Sequence, residues 1–203
     1  MAVLVARQGR ELQRYSPRTG GRIVVGCIPY LVRDDGELEV LVISSQKGHG
    51  MMFPKGGWEL DESMDDAARR EALEEAGVRG ETGSVLGYWH YKSRRYDQTY
   101  EGYMFPLRVT DQLHQWPEMS SRKRTWVSTV SCLISRCLHS LTGCCKVKLL
   151  RKNQARTSRL NVCFCNLVEQ ATVEQVMDGC QHAWMLDALQ QLVDRHAKLQ
   201  SAL

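Results

Sequence analysis

The sequence predicts a layered α/β domain. Segments rich in β-branched and apolar residues precede and follow an internal helical stretch, and the C-terminal region has a second helical pattern. At 203 residues the chain is long enough for one well-buried domain and short for two of ordinary size. Its 43% hydrophobic and 25% charged residues are typical of a soluble globular protein.

The first two predicted strands form a hairpin. Residues Arg22 to Leu31 and Glu39 to Ser44 are β-branched and apolar, and a turn signal over residues 34–36 separates them. Further strands are predicted after the internal helix, at Ser84 to Lys92, Tyr100 to Val109 and Trp126 to Ser128.

The internal helix is predicted between Ser63 and Gly77. Ser63 suits the N-cap, Asp66 completes a capping-box pattern, and Gly77 suits the left-handed residue that ends a helix. One face has a small or apolar residue every four positions, which allows close packing on a sheet. These residues are Met64, Ala68, Ala72 and Ala76.

The C-terminal helix is predicted over Ala183 to Leu199, after a shorter one over Thr172 to Met177. Its apolar face would close the core, and is formed by Met185, Leu186, Leu189, Leu192 and Val193.

The internal helix has an unusual acidic face. Glu71, Glu74 and Glu75 stand at i, i+3 and i+4, so their side chains should converge on one side. Such carboxylates repel each other unless a cation lies between them, and Mg²⁺ is commonly held by one or two carboxylates with substrate phosphates. A solvated acidic face is the alternative, and for the glutamates alone the two interpretations have similar weight.

The spacing of the whole stretch separates these interpretations. It matches the Nudix box, G-x5-E-x7-R-E-U-x-E-E-x-G-U, at the fixed residues Gly56, Glu62, Arg70, Glu71, Glu74, Glu75 and Gly77, with Ala72 and Val78 at the aliphatic positions. A signature this long is highly specific, and the chain is identified by it as a member of the Nudix hydrolases. The resemblance implies the Nudix fold, a mixed β-sheet sandwiched between helices. It also implies Mg²⁺- or Mn²⁺-dependent cleavage of a diphosphate linked to another moiety.

Three more stretches resemble plant Nudix proteins related to the diphosphoinositol polyphosphate phosphohydrolases. They are Phe53 to Glu59, Tyr88 to Ser93, and Cys180 to Leu186. The resemblance implies that diphosphoinositol polyphosphates are the substrates, with dinucleoside polyphosphates, ADP-ribose or nucleotide sugars as alternatives. A non-catalytic Nudix-fold binding module is the rival from another class.

The resemblance also implies roles for the box residues. Glu71 and Glu75, with Glu74, would hold the divalent ion, and Glu74 is the candidate general base. Arg70 belongs to the catalytic set and is expected to orient the glutamates. Glu62 would be a more distant ligand or would fix the loop.

Basic and glycine residues around the box are the candidates for substrate binding, since arginine and lysine bind polyphosphates through charge-assisted hydrogen bonds. As a group they favour an inositol pyrophosphate over a neutral sugar nucleotide. They are Arg22, Lys47, Lys55, Gly56, Lys92, Arg94, Arg95 and Arg122, with Arg124 beside them.

The predicted domain organisation has a flexible tail at 1–17 and one domain at 18–203, interrupted by a basic, cysteine-rich insertion at about 129–167. The insertion has seven lysines and arginines and no acidic residue. Its cysteine spacing lacks the paired C-x2-C units of common zinc sites, so free thiols are favoured over zinc. Its charge could hold nucleic acid weakly, but too few aromatic residues are present for a specific site.

Membrane insertion and secretion are not predicted. No apolar run approaches the roughly 18–20 residues of a membrane span, and Ala2 to Ala6 is shorter than the apolar core of a secretory signal. The expected location is therefore cytoplasmic or nuclear, with a small-molecule polyphosphate as the partner.

Overall fold

A computed structural model describes residues 5–46, 50–92, 97–129 and 183–202 of the chain. Eight strands and two helices lie in these residues, and α1 continues into a π-helical turn over Ala72–Ala76. The strands are β1 (Ile23–Val32), β2 (Leu38–Ser44), β3 (Met51–Met52), β4 (Lys55–Gly57), β5 (Val78–Thr82), β6 (Gly87–Lys92), β7 (Thr99–Gln112) and β8 (Arg124–Ser128). The helices are α1 (Met64–Glu71) and α2 (Ala183–Gln200).

All the strands belong to one mixed sheet. Its central path is β3-β2-β1-β7-β5, with β4 beside β1, β6 beside β7 and β8 beside β2. β1 and β7 run parallel, so that Ile23 pairs with Glu101 and Tyr30 with Arg108. The predicted hairpin is confirmed by the antiparallel β1–β2 pairing, in which Tyr30 faces Val40.

The sheet is covered on both faces, which confirms the predicted order of helix, sheet and helix. On one face, alternate residues of β1, β2 and β7 pack against buried alanines of α1 and its π turn. On the other face, the intervening residues pack against α2. Because central strands are buried on both sides, their sequences are continuous apolar runs rather than alternating ones.

Helix α2 closes the second core as its apolar pattern predicts. Met185, Leu189 and Leu192 are buried, and Trp184 stacks on Tyr91 of β6 with ring centroids 5.2 Å apart. The C-terminal part of the helix also reaches the β1–β2 turn, where the side-chain amide of Gln200 donates to a backbone carbonyl at 2.9 Å.

Part of the tail predicted at residues 1–17 packs against the domain. Gln13 is 7% exposed and forms a bridge to Glu59, and Tyr15 forms another to Arg22. This segment therefore lies beside the glycine loop of the Nudix box, the stretch from Gly56 to Glu62 that precedes the helix.

The predictions for the insertion at 129–167 and for the helix over Thr172 to Met177 lie outside the described residues, apart from Thr129. The same holds for the cysteines discussed as zinc ligands. Within the described residues, Cys27 is a buried free thiol.

Candidate active site

The N-terminus of α1 is fixed by the predicted cap. The backbone N–H of Asp66 donates to the Ser63 hydroxyl at 3.1 Å, and that hydroxyl donates to the Asp66 carboxylate at 2.6 Å. The predicted stripe is also confirmed, since Ala68, Ala72 and Ala76 have no exposed surface. The helix therefore lies close to the sheet, and its glutamates are held beside the strands.

The C-terminus of the helix departs from the regular pattern. Residues Ala72–Ala76 form a π-helical turn, and Gly77 follows with φ of 63°, a left-handed conformation that glycine adopts without strain. The guanidinium of Arg124 donates to the carbonyls of Ala76 and Gly77 at 2.8 and 3.1 Å and lies over the ring of Trp116. Glu74 and Glu75 lie within this wider turn, so they are displaced from ideal α-helical positions.

Gly56 of β4 lies directly over the carboxylate of Glu71. A Cβ at position 56 would overlap Glu71 Oε1 and the carboxyl carbon. The first residue of the box is thus a glycine because the carboxylate occupies the space that a side chain would need.

Arg70 organises the loop and the helix around it. Its Nε and one Nη donate to the two carboxylate oxygens of Glu62 at 3.0 and 2.8 Å, and the same Nη donates to the carbonyl of Gly57 at 2.9 Å. The other Nη donates to Glu71 at 2.7 Å. The guanidinium of Arg70 is thus placed to orient the carboxylate of Glu71. Its bonds to Glu62 and Gly57 connect the glycine loop to the helix.

Glu75 is held by two donors from other parts of the chain. The backbone N–H of Lys55 donates to one oxygen at 2.9 Å, and the guanidinium of Arg122 forms an ion pair with the other. Arg122 also donates to Glu118 at 2.6 Å and to the carbonyl of Ser44 at 3.1 Å. It is only 8% exposed, so its side chain is largely committed to these partners.

Glu74 has different neighbours. Its Oε1 accepts the backbone N–H of Arg7 at 3.1 Å, and its Oε2 lies 3.5 Å from Arg70. The guanidinium of Arg7 pairs with Glu59 and with Asp61 of the glycine loop. The N-terminal segment therefore contacts the candidate base directly.

The electrostatics of the site favour binding of a cation. Glu71 and Glu75 are 7% and 6% exposed. Burial, together with the charge of Glu75 and against the opposing charge of Arg70, raises the pKa of Glu71 to about 8. Burial also raises the pKa of Glu75 and that of Glu74. At Glu74 the hydrogen bond from the backbone N–H of Arg7 lowers the pKa and so opposes this effect in part. Ionised carboxylates are thus costly here without a further positive charge.

Glu71 and Glu75 fit a divalent ion by the chemistry of their donors. Their buried carboxylate oxygens are hard ligands of the kind that Mg²⁺ and Mn²⁺ prefer. Among the described residues, no group of three or more histidine, cysteine or acidic side chains is arranged to hold a metal. The convergence of the three glutamates stays a prediction: Arg70 contacts both Glu71 and Glu74, at 2.7 and 3.5 Å, while Glu75 contacts Lys55 and Arg122.

The candidate substrate-binding residues have different environments. The side chain of Arg22 donates to Gln13 at 2.8 and 2.7 Å, and Lys55 Nζ lies 3.7 Å from the sulfur of Met52. The side chain of Lys92 is 80% exposed. Lys47, Arg94 and Arg95 lie outside the described residues.

Sequence reasoning missed several residues that contact the site. Gln13 donates to the carbonyls of Ile23 and Trp58 at 3.1 and 3.2 Å, and Glu118 binds Arg122. Arg7 contacts Glu74 through its backbone N–H, and a contact of this kind cannot be predicted from the residue type. These three positions lie far from the box in sequence, and only the tertiary fold brings them to it.

Comparison with known proteins identifies the family. The NUDIX domain family matches residues 21–131. The chain is 54% identical over 134 residues to Nudix hydrolase 17, mitochondrial, of Arabidopsis thaliana, covering 63% of this chain and 72% of that protein. It is 55% identical over 128 residues to Nudix hydrolase 21, chloroplastic, of the same plant, covering 62% and 64%. A mouse relative, diphosphoinositol polyphosphate phosphohydrolase 3-alpha, is 40% identical over 119 residues, covering 57% and 69%.

The expectation of a cytoplasmic or nuclear protein is wrong. The two plant relatives are named as mitochondrial and chloroplastic, which points against that location. Across the residues that the structure describes, no helix combines the length and hydropathy needed to cross a bilayer.

The family match, the intact box and the fold agree with one another. Nudix hydrolases hydrolyse pyrophosphate bonds and generally use divalent metals such as Mg²⁺ or Mn²⁺. The chain therefore belongs to the Nudix hydrolase family and is a pyrophosphohydrolase.

Proposed function

We propose that the chain is a Mg²⁺- or Mn²⁺-dependent hydrolase of diphosphoinositol polyphosphates. The observation that carries the metal dependence is the buried pair Glu71 and Glu75, in which burial and mutual repulsion raise the pKa of Glu71 to about 8. A divalent ion shared by these carboxylates would offset their repulsion, and would neutralise phosphate charge and acidify bound water.

Glu74 is the proposed general base. It is largely buried, and its carboxylate is held by the N–H of Arg7, with Arg70 3.5 Å away. It would take the proton from a water molecule whose oxygen attacks phosphorus, while the leaving phosphate oxygen departs from the other side. Burial raises the pKa of Glu74, which makes it a better proton acceptor than an exposed carboxylate.

The substrate class is supported by two observations of different kinds. The mouse relative at 40% identity is named for diphosphoinositol polyphosphates, whereas the names of the two plant relatives state no substrate. Lys55 and Lys92 add positive charge on strands β4 and β6 of the same sheet, and Arg22 adds it immediately before β1. A crowded polyphosphate gains more from such charges than a neutral sugar nucleotide does.

A parallel assay tests the proposal. The full chain should hydrolyse diphosphoinositol polyphosphates with kcat/KM at least about tenfold above that for dinucleoside polyphosphates or ADP-ribose, a difference of about 1.4 kcal/mol in transition-state stabilisation. Chelation of divalent ions should abolish turnover. A preference for ADP-ribose would refute the substrate class, and turnover that survives chelation would refute the metal dependence.

The role of Glu74 has its own test. Glu74→Gln keeps the size of the side chain but removes the base, so kcat should fall by roughly 10²–10⁴. Glu81→Gln is the matched control, because Glu81 is an exposed glutamate of β5 outside the box. Near-normal turnover of Glu74→Gln would reject the assignment.

We also propose that residues 129–167 are an insertion into the Nudix domain. The match to the family ends at residue 131, and the segment carries seven basic residues with no acidic one. A chain lacking 129–167 should keep the kcat and KM of the full chain. Loss of activity at an unchanged melting temperature would contradict this proposal.

A further inference from the structure

The N-terminal segment follows the glycine loop of the Nudix box. The backbone N–H of Leu60 donates to the carbonyl of Leu12 at 2.8 Å, and that of Arg14 donates to Trp58 at 2.8 Å. The guanidinium of Arg14 also lies over the ring of Trp58, 4.3 Å from its centre. These contacts carry the preceding residues toward the helix that holds the glutamates.

Arg7 ends this path at the candidate base. Its backbone N–H donates to Glu74 Oε1 at 3.1 Å, across 67 residues of sequence. Its guanidinium pairs with Glu59, and with Asp61 at 3.0 Å. The backbone contact reaches a carboxylate that is 11% exposed, whereas the Arg7 side chain is 40% exposed.

We propose that Arg7 is a positioning residue for the reaction, whose backbone N–H holds the Glu74 carboxylate in its working orientation. This inference rests on the proposed role of Glu74 as the base. The ion pairs of the Arg7 side chain with Glu59 and Asp61 serve to anchor the segment, so that the N–H stays in place.

The geometry favours the backbone N–H over Arg70 as the main contact. The Arg70 guanidinium lies 3.5 Å from Glu74, at the limit of a hydrogen bond, and its shorter bonds go to Glu62 and Glu71. A backbone donor to an ionised acceptor makes a strong, charge-assisted bond. It engages one oxygen of Glu74 and leaves lone pairs of the carboxylate available to accept a proton.

A pair of substitutions at position 7 separates the N–H from the side chain. Arg7→Ala keeps the N–H and loses the ion pairs, whereas Arg7→Pro loses both. We expect Arg7→Ala to lower kcat only a fewfold and Arg7→Pro to lower it about tenfold further, the order expected for one hydrogen bond to a charged group, with KM unchanged in both. Arg7→Lys keeps both the N–H and the charge, so its kcat should return to the native value that Arg7→Ala loses.

Matched controls address the backbone restriction that proline imposes. Ala6→Pro places the same ring one residue earlier and leaves the N–H of Arg7 intact. Gln8→Ala removes a side chain whose amide donates to the carbonyl of Ala6 in the same segment. Both should keep the kcat of the native chain. Equal kcat values for Arg7→Pro and Arg7→Ala would overturn the inference, and so would a rise in kcat for Arg7→Pro, since the segment would then be masking the base.

A second variant leaves the backbone untouched. Replacing Glu59 by glutamine and Asp61 by asparagine removes both ion partners of Arg7, and neither is a fixed residue of the box. This double variant should lower kcat by a few fold at constant KM and melting temperature, and an unchanged kcat would count against the anchoring role.

The outcome for Glu74→Gln separates this inference from the function that it rests on. If Glu74→Gln is inactive while Arg7→Pro matches Arg7→Ala, only the positioning role fails. If Glu74→Gln keeps its activity, the base assignment fails and the role of Arg7 fails with it.

Discussion

Arg122 and Glu75 form a buried ion pair, in which each side chain is 7% exposed. Loss of the guanidinium would leave the Glu75 carboxylate buried without the side chain that it pairs with. We therefore expect Arg122→Gln to lower the free energy of unfolding of the metal-free protein by about 3 kcal/mol, measured by urea denaturation in a chelator. The control is Arg69→Gln, since Arg69 pairs with Asp66 at the surface and should contribute less than about 1 kcal/mol. Equal losses in the two variants would contradict this account.

The fork between Arg70 and Glu62 predicts that lysine cannot replace Arg70. A lysine keeps the charge but cannot bind both oxygens of Glu62 and the carbonyl of Gly57 in one plane. We expect Arg70→Lys to lower kcat/KM at least about tenfold and to lower stability by about 1–3 kcal/mol. Steady-state kinetics and thermal unfolding measure these effects. Arg69→Lys, at the preceding and exposed position, should be close to neutral, and similar behaviour of the two variants would refute the prediction.

The contact of Gly56 with Glu71 predicts a specific suppressor. Gly56→Ala should weaken Mn²⁺ binding, because the new methyl group displaces the Glu71 carboxylate. Glu71→Asp withdraws that carboxylate by one methylene, so the double variant should lose less affinity than the sum of the two single changes. Titration calorimetry of all three variants measures this coupling, and strict additivity would argue against the contact.

The raised pKa of Glu71 predicts how stability depends on pH. The pKa is about 8 in the folded chain against an ordinary value of 4.5, so between these values the folded state binds a proton that the unfolded chain has lost. The contribution of Glu71 to stability should therefore fall as pH rises through this window, by up to about 1.4 kcal/mol per pH unit.

Metal-free unfolding measured at several pH values checks this sign. Glu71→Gln should flatten the dependence, because glutamine does not titrate, whereas Glu81→Gln should leave it unchanged. Magnesium should reduce the slope in the native chain, since a bound cation favours the ionised carboxylate. A slope that is the same in native and Glu71→Gln chains would contradict the prediction.

Local signals in the sequence predicted a large part of the fold. The cap at Ser63, the left-handed Gly77 and the β1–β2 hairpin each depend on a few neighbouring residues, and all are found in the structure. Bounds of the strands differ by a few residues; β7, for example, continues to Gln112, past the predicted Val109. The cap, the left-handed glycine and the hairpin are predictable because they depend on residue type and spacing within a short stretch, and a single sequence shows both.

Tertiary contacts account for what the sequence did not predict. Strand β4 consists of Lys55–Gly57, whose two glycines give no strand signal, and it exists because β1 offers a partner. Two partners of Glu74 lie far from it in sequence. The backbone N–H of Arg7 donates to its carboxylate, and the backbone N–H of Glu118 donates to its carbonyl. Since nearly every residue has an N–H, residue type cannot reveal such contacts. The predicted cytoplasmic or nuclear location was wrong because it depended only on the lack of a membrane span and of a secretory signal in the sequence.

The parallel pairing of β1 with β7 also constrains how the protein reaches its folded state. Ile23 pairs with Glu101, and the complete catalytic signature lies in the stretch of chain between them. Closing such a long loop costs conformational entropy before the contacts between the strands compensate for it. Non-local pairing of this kind therefore slows folding. A peptide cut from the signature alone would therefore lack the architecture that brings its acids together, and the catalytic centre should mature only late, once the distant halves of the sheet have joined.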